Sequence, residues 1–106
     1  MPRFMIKASY NADGVKGLVK DGGTARRDAI NKLVVSLGGQ IEAFYFAYGA
    51  DDAFVIVDLP DASTALAISL AVNASGVVRC NTMPLITAED LDAARSRTVA
   101  YKVPGE

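Results

Sequence analysis

The hairpin predicted over residues 40–59 carries apolar side chains on both of its faces, and this constrains the fold more than any other feature of the chain. Two segments rich in aromatic and β-branched residues flank a short turn at Gly49–Asp52, which indicates two antiparallel strands. An antiparallel sheet with one face in water alternates apolar and polar residues. Glu42 is the only charged residue of the first strand, 40–48, so both faces of the hairpin need a cover.

Alternation along each strand of the hairpin assigns the side chains to faces. In the first strand, one face carries Ile41, Ala43, Tyr45 and Ala47, and the other carries Glu42, Phe44, Phe46 and Tyr48. In the second strand, 54–59, one face carries Val55 and Val57, and the other carries Phe54 and Ile56.

The main helix is predicted from Thr24, a suitable N-cap, to the Gly38-Gly39 pair. Its apolar stripe recurs at helical spacing and consists of Ile30, Leu33, Val34 and Leu37. Before it, the glycines at 17, 22 and 23 limit any helix after Asn11–Gly14 to a turn or two.

Two further helices are predicted after the hairpin. Asp61 caps a helix that runs to about Asn73, and its broad apolar face consists of Ala65, Leu66, Ile68, Ala71 and Val72. Thr87 and Asp90 resemble a capping box before a short helix that ends near Arg97.

Strands at residues 3–10 and 77–86 complete the order βαββαβ plus a C-terminal helix. This order predicts an α+β, ferredoxin-like fold, a four-stranded antiparallel sheet with two helices on one face. We expect one domain over residues 1–97 and a C-terminal tail over 98–106. Because Val99, Tyr101 and Val103 alternate like a strand, we expect the tail to dock on a sheet edge or a neighbouring subunit.

Composition excludes several classes of function. The 106 residues are 51% hydrophobic and 22% charged with a net charge of −1, unlike a disordered chain or an electrostatic nucleic-acid binder. No apolar stretch reaches membrane-spanning length, and because Lys7 interrupts the N-terminal apolar residues we expect no signal peptide. The single cysteine favours a reducing compartment, and we expect a cytoplasmic location. The absence of histidine excludes Ser-His-Asp catalysis and His-ligated zinc or haem, and we expect no metal and no cofactor.

Two long helices cannot cover both faces of one sheet. A second copy of the same sheet is the simplest cover for the other face, and this packing gives a dimeric α/β-barrel-like assembly. The alternative is a monomer with an apolar ligand groove on that face. We therefore expect a homodimer or higher homo-oligomer, with no nucleic-acid or membrane partner.

Two cations are predicted on the face that meets the second sheet. Lys7 on the first strand and Arg79 on the last point the same way as Asn81, and the ferredoxin-like order makes these strands neighbours. Cations on a half-buried face need a partner. Asp52 or Asp58 would make the pair structural, whereas a ligand carboxylate or phosphate would make it a binding site.

Other side chains extend the candidate ligand site. Arg26 lies on the apolar stripe of the main helix, which places its guanidinium at the mouth of the core, unless it snorkels to solvent. Aromatic residues in a sheet are most often packing, but three tyrosines have phenols to offer. The full candidate set is Lys7, Tyr10, Arg26, Tyr45, Tyr48, Asp52, Arg79 and Asn81.

The sequence resembles the GYD-domain family of small bacterial proteins over roughly residues 4–91. The resemblance rests on Leu37-Gly38-Gly39, Phe44-Tyr45, Gly49–Asp52, Val55–Val57, Pro60-Asp61, Val78-Arg79, Thr82 and Thr87–Asp90. Asp51 stands where the naming motif has tyrosine. The resemblance implies a ferredoxin-like protomer in a dimeric α/β-barrel-like assembly, and it implies no activity.

Two functions fit these observations. The first is an oligomeric small-molecule-binding or assembly protein with a pocket between packed sheets for an anionic or aromatic ligand. The second is a metal-free, cofactor-free enzyme, similar to a monooxygenase or an isomerase, that acts on a small metabolite. Without histidine, such an enzyme would depend on Asp52, Tyr45, Tyr48 or Lys7 for acid-base chemistry.

Overall fold

Four strands and four helices make up the chain in the computed structural model, which describes all 106 residues. Their order is β1 (Arg3–Tyr10), α1 (Ala12–Asp21), α2 (Gly23–Ser36), β2 (Gln40–Phe46), β3 (Ala53–Asp58), α3 (Ala62–Ala74), β4 (Val78–Leu85) and α4 (Ala88–Arg95). All strands pair antiparallel in one sheet, in the order β2-β3-β1-β4. The predicted α+β class and four-stranded antiparallel sheet are confirmed, and the arrangement is consistent with a ferredoxin-like fold. None of the helices combines the length and apolarity that crossing a bilayer requires.

Helix α1 is longer than the sequence predicted. It runs for ten residues because the side chain of Asn11 accepts a hydrogen bond from the backbone N–H of Gly14 and caps its first turn. Gly17 lies inside the helix without ending it. Gly14 is needed for a close approach, since a Cβ there would lie 2.4 Å from the carbonyl oxygen of Val77.

Helix α2 begins two residues earlier than predicted, because its N-cap is Gly22, not Thr24. Gly22 has φ +89°, its N–H donates to Leu18 in α1, and its carbonyl accepts from the N–H of Arg26. One glycine therefore ends α1 and opens α2, which leaves Thr24 inside the helix.

The predicted end of α2 at the glycine pair is confirmed. Gly38 has φ +84° and donates to Val35, while Gly39 donates to Val34, both at 3.0 Å. This pair of bonds satisfies the last carbonyls of the helix. A Cβ at Gly39 would lie 2.5 Å from the carbonyl oxygen of Asp58, so the chain enters β2 in close contact with β3.

A β-bulge in β2 corrects the predicted face assignment of that strand. The register with β3 shifts between Ile41 and Ala43, which leaves Glu42 as the extra residue. Ile41 therefore lies on the helix side together with Phe44 and Phe46, opposite to Ala43 and Tyr45. Counting in twos fails here because a bulge inserts one unpaired residue. The strand also ends at Phe46, so residues 47 and 48 belong to the turn.

The core lies between the sheet and helices α2 and α3. Its buried side chains are Phe4, Ala8, Val34, Ala53, Val55, Val57, Leu59, Ala65, Ile68, Val78 and Cys80. The apolar face of α3 is narrower than predicted, because Leu66 and Ala71 are exposed and only Ala65 and Ile68 are buried. The predicted caps of α3 and α4, Asp61 and the Thr87–Asp90 capping box, are confirmed.

The other side of the sheet, which we call the open face, has no helix packed on it. It carries the side chains of Arg3, Met5, Lys7, Ser9, Gln40, Ala43, Tyr45, Phe54, Ile56, Asp58, Arg79, Asn81, Met83 and Leu85. One row of opposed residues crosses all four strands and is apolar throughout: Ala43, Ile56, Met5 and Met83.

Residues 86–106, which we call the C-terminal arm, are exposed at every position. The arm includes α4, and the tail beyond it forms no strand and joins no edge of its own sheet. The radius of gyration is 16.9 Å, whereas a compact domain of this length has about 13 Å. The arm therefore projects from the rest of the fold.

A charged cluster lies at one end of the open face, in the row of opposed residues next to the apolar row. The Nε of Arg3 lies 2.9 Å from Oδ1 of buried Asp58 and 2.8 Å from Oε2 of Glu42, while Gln40 donates to Oδ2 of Asp58 at 3.3 Å. The hydrogen bond from Arg3 lowers the pKa of Asp58 below its ordinary value. Asp58 is thus already paired and is not the partner of Lys7 or Arg79.

This pairing predicts a loss of stability in acid. Because the folded-state pKa of Asp58 is lowered, the stabilisation is present above about pH 4, the ordinary carboxyl value, and is lost as pH falls through the folded-state pKa. Urea unfolding of the wild type should show a falling free energy of unfolding below pH 4, and Asp58→Asn should reduce that slope. Some slope should remain, since Thr64 also lowers the pKa of Asp61.

Asp28→Asn is the matched control, because Asp28 is an exposed carboxylate whose only ionic partner is its neighbour Arg27 at 3.5 Å. An acid slope in Asp58→Asn equal to that of the wild type would contradict this assignment.

Candidate functional site

The predicted site residues lie in two groups on opposite sides of the sheet. Lys7, Arg79, Asn81 and Tyr45 are on the open face, whereas Tyr10 and Arg26 are on the helix side. The single pocket that the sequence suggested is therefore divided. The alternation that puts Phe4, Ile6 and Ala8 toward the helices also puts Tyr10 there, so the sequence already contained this signal.

Lys7, Asn81 and Arg79 form one corner of the open face. Lys7 is opposite Asn81 in the β1–β4 register, and Ser9 is opposite Arg79 two residues further along. The predicted face of both cations is thus confirmed. Neither Lys7 nor Arg79 has a carboxylate of its own chain within 4.0 Å. The ion pairs of the chain are formed by Arg3 and Arg27 instead.

Tyr45 lies away from these cations on the same face. It is opposite Phe54, which is in turn opposite Lys7, so Phe54 separates the phenol from the ammonium group. Tyr45 is largely exposed. The structure brings Tyr45 next to the apolar row and not next to the cationic corner.

Asp52 and Tyr48 belong to the β2–β3 turn. Oδ2 of Asp52 accepts a hydrogen bond of 2.8 Å from the backbone N–H of Tyr10, and its own N–H donates to the carbonyl of Ala8 at 2.7 Å. Asp52 therefore ties the turn to the end of β1. Tyr48 is fully exposed at the tip and contacts neither group.

Tyr10 and Arg26 meet at a cleft on the helix side. The cleft has a volume of about 530 Å³ and is bounded by α1, the first turns of α2 and the start of β4. The guanidinium carbon of Arg26 lies 6.0 Å from the centroid of the Tyr10 ring. The Nε of Arg26 is buried and has no hydrogen-bond partner, so this part of the side chain lies inside the protein and not in solvent.

Sequence reasoning missed one whole wall of this cleft. Asp13, Lys20 and Asp21 line it from α1, which had been predicted as only a turn or two. The missed signal is the capping side chain of Asn11, which supports a full helix despite Gly17. Small residues on both helices, Gly14 and Gly17 on α1 and Ala25 and Ala29 on α2, leave the space open.

The architecture and the hairpin motifs agree with a known family. The model of the GYD domain matches residues 4–94, which is most of the chain. A search among curated proteins and a search among solved structures both give no significant match. The chain belongs to the GYD-domain family.

Proposed function

We propose that this protein is a homo-oligomeric small-molecule-binding protein in which the open faces of two copies pack together around an anion site. The observation that carries the proposal is the apolar row across the open face, together with two cations without a carboxylate partner, Lys7 in the next row of opposed residues and Arg79 in the row after it. If this row stayed uncovered, the apolar area of Ala43, Ile56, Met5 and Met83 would remain in water. Apolar area left in water costs a free energy of about 25 cal/mol per Å² relative to buried area. A second copy of the same face removes that area from water.

The surface area of the subunit supports a large interface. The chain exposes 7503 Å², whereas a folded monomer of this mass exposes about 5,700 Å². The excess is roughly 1,800 Å², and a standard interface buries about 800 Å² on each partner. The excess area is therefore large enough for an interface that buries both the open face and the C-terminal arm.

The cationic corner supports an anionic ligand between the sheets. Lys7 and Arg79 would lose water when a second sheet covers them, and a desolvated charge is costly unless it is paired. A twofold dimer brings the same patch from both copies into one interface. A carboxylate or phosphate held there would neutralise the cations and accept from the side-chain amide of Asn81.

The C-terminal arm supports assembly independently of the sheet. Its large apolar side chains, Ile86, Leu91, Val99, Tyr101 and Val103, are all exposed. Exposed apolar groups that continue along a projecting segment indicate a contact surface. We propose that the arm packs on the second copy of the chain, because it is exposed along its whole length and packs on no element of its own chain.

The anion site predicts an unusual effect of Arg79→Met. If Arg79 is there to bind a ligand, the variant unfolds in urea at the same or a higher concentration than the wild type when no anion is added. Phosphate should then stabilise the wild type and Arg27→Met, an exposed control on α2, but not Arg79→Met.

An ion pair with a second copy predicts the opposite result. Removing one partner of a buried pair costs about 3–5 kcal/mol. A strong loss of stability in Arg79→Met, with no effect of phosphate on the wild type, would contradict the ligand site.

The arm predicts a concentration-dependent mass. Light scattering on the wild type at micromolar concentration should give at least twice 11.2 kDa. A chain that ends after residue 97 lacks Val99, Tyr101 and Val103. Its oligomer should therefore dissociate already at a higher protein concentration than that of the wild type, and it should melt at a lower temperature. Replacing the same three residues by serine in the full-length chain is the control for length. Unchanged mass and melting temperature in both variants would exclude the arm from the interface.

A further inference from the structure

Arg26 is held in a position that solvent does not explain. It lies in the first turn of α2, and its Nε is buried without any hydrogen-bond partner. A buried donor that is left unpaired costs free energy, and more so when the group is charged. Asp13 and Asp21 line the same cleft, but neither forms an ion pair with Arg26. The guanidinium therefore has no carboxylate within 4.0 Å.

Tyr10 holds the guanidinium of Arg26 in its position. Its ring lies 6.0 Å from the guanidinium carbon, a separation at which the ring face still attracts a cation. The backbone N–H of Tyr10 is bonded to Asp52, which anchors the residue at the end of β1. A planar guanidinium held in this way presents a fork of donors that matches a carboxylate.

A second, smaller cavity lies directly behind this pair. It has a volume of about 50 Å³, and Arg26 is the only charged residue in its wall. The cleft and the inner cavity share Tyr10, Arg26 and Val78 in their walls. The shared residues thus lie between the polar cleft and a mostly apolar cavity whose wall includes the core side chains Val34 and Val55.

The size of the inner cavity limits what can enter it. An apolar cavity of about 150 Å³ accommodates benzene, and the cavity here is about a third of that size. A short alkyl chain fits this space, whereas an aromatic ring does not. A ligand that uses both parts must combine a small anionic head with a short apolar chain.

We infer that each subunit has a second ligand site at Tyr10 and Arg26, which binds a short-chain carboxylate. The carboxylate pairs with the guanidinium of Arg26, and the alkyl chain occupies the inner cavity. The site is built from α1, α2 and the sheet of one subunit, so it is distinct from the anion site proposed on the open face and does not require assembly.

A chain-length series on the wild-type protein tests both halves of the site. Each buried CH₂ tightens the Kd about fourfold, so butyrate should bind roughly fifteenfold more tightly than acetate, with propionate between them. Benzoate should gain nothing from its ring. The Nε–H signal of Arg26 in a ¹⁵N spectrum should shift during the butyrate titration. Equal affinity of acetate and butyrate, or an unmoved Arg26 signal, would overturn the inference.

Substitutions separate this site from the open face. Arg26→Gln should abolish the gain in affinity from acetate to butyrate, while Arg27→Gln, its exposed neighbour, should keep it. Arg79→Met should also keep this gain, although that variant loses the effect of phosphate. A gain from acetate to butyrate that survives in Arg26→Gln, or that disappears in Arg79→Met, would place the alkyl chain elsewhere and overturn the inference.

Discussion

A sheet covered by helices on one side only is the constraint from which the other properties of this protein follow. Helices α2 and α3 bury Val34, Ala65 and Ile68 against β1 and β3, and neither α1 nor the C-terminal arm covers the other side. The apolar row across the open face is thus exposed because no helix lies over it, although its own residues are apolar. The projecting arm adds further apolar surface that its own chain does not bury.

The sequence predicted the fold where local patterns are regular. Strands β1, β3 and β4 have no irregularity, so alternation correctly placed Lys7 and Arg79 on one face. It failed for β2, because the bulge at Glu42 depends on pairing with β3 and leaves no trace in periodicity. The prediction of α1 was also wrong, because the glycines in this segment were taken to shorten the helix although Asn11 caps it. The cleft could not be predicted, because its walls come from segments that only the tertiary fold brings together.

Both candidate ligand sites use a cation for which the chain supplies no carboxylate. Around Arg3 the opposite holds, since the carboxylates of Asp58 and Glu42 both lie beside its Nε, while Gln40 donates to Asp58, and these contacts make that arginine structural. The contrast within one small protein is informative. Where a cation serves the fold, a carboxylate stands beside it, and where the partner is missing, as at Arg26 and in the Lys7–Arg79 corner, we expect a ligand to supply the anion.

The central claim, that a second copy covers the open face, is tested most directly by isotope-filtered NOE spectroscopy. An equal mixture of methyl-¹³C-labelled and unlabelled protein reports only contacts between different copies. The account predicts intermolecular NOEs among the methyl groups of Met5, Ile56 and Met83, which lie in one row of the open face. A dimeric sample in which these methyl groups show none, while exposed helix residues such as Leu70 do, would contradict it.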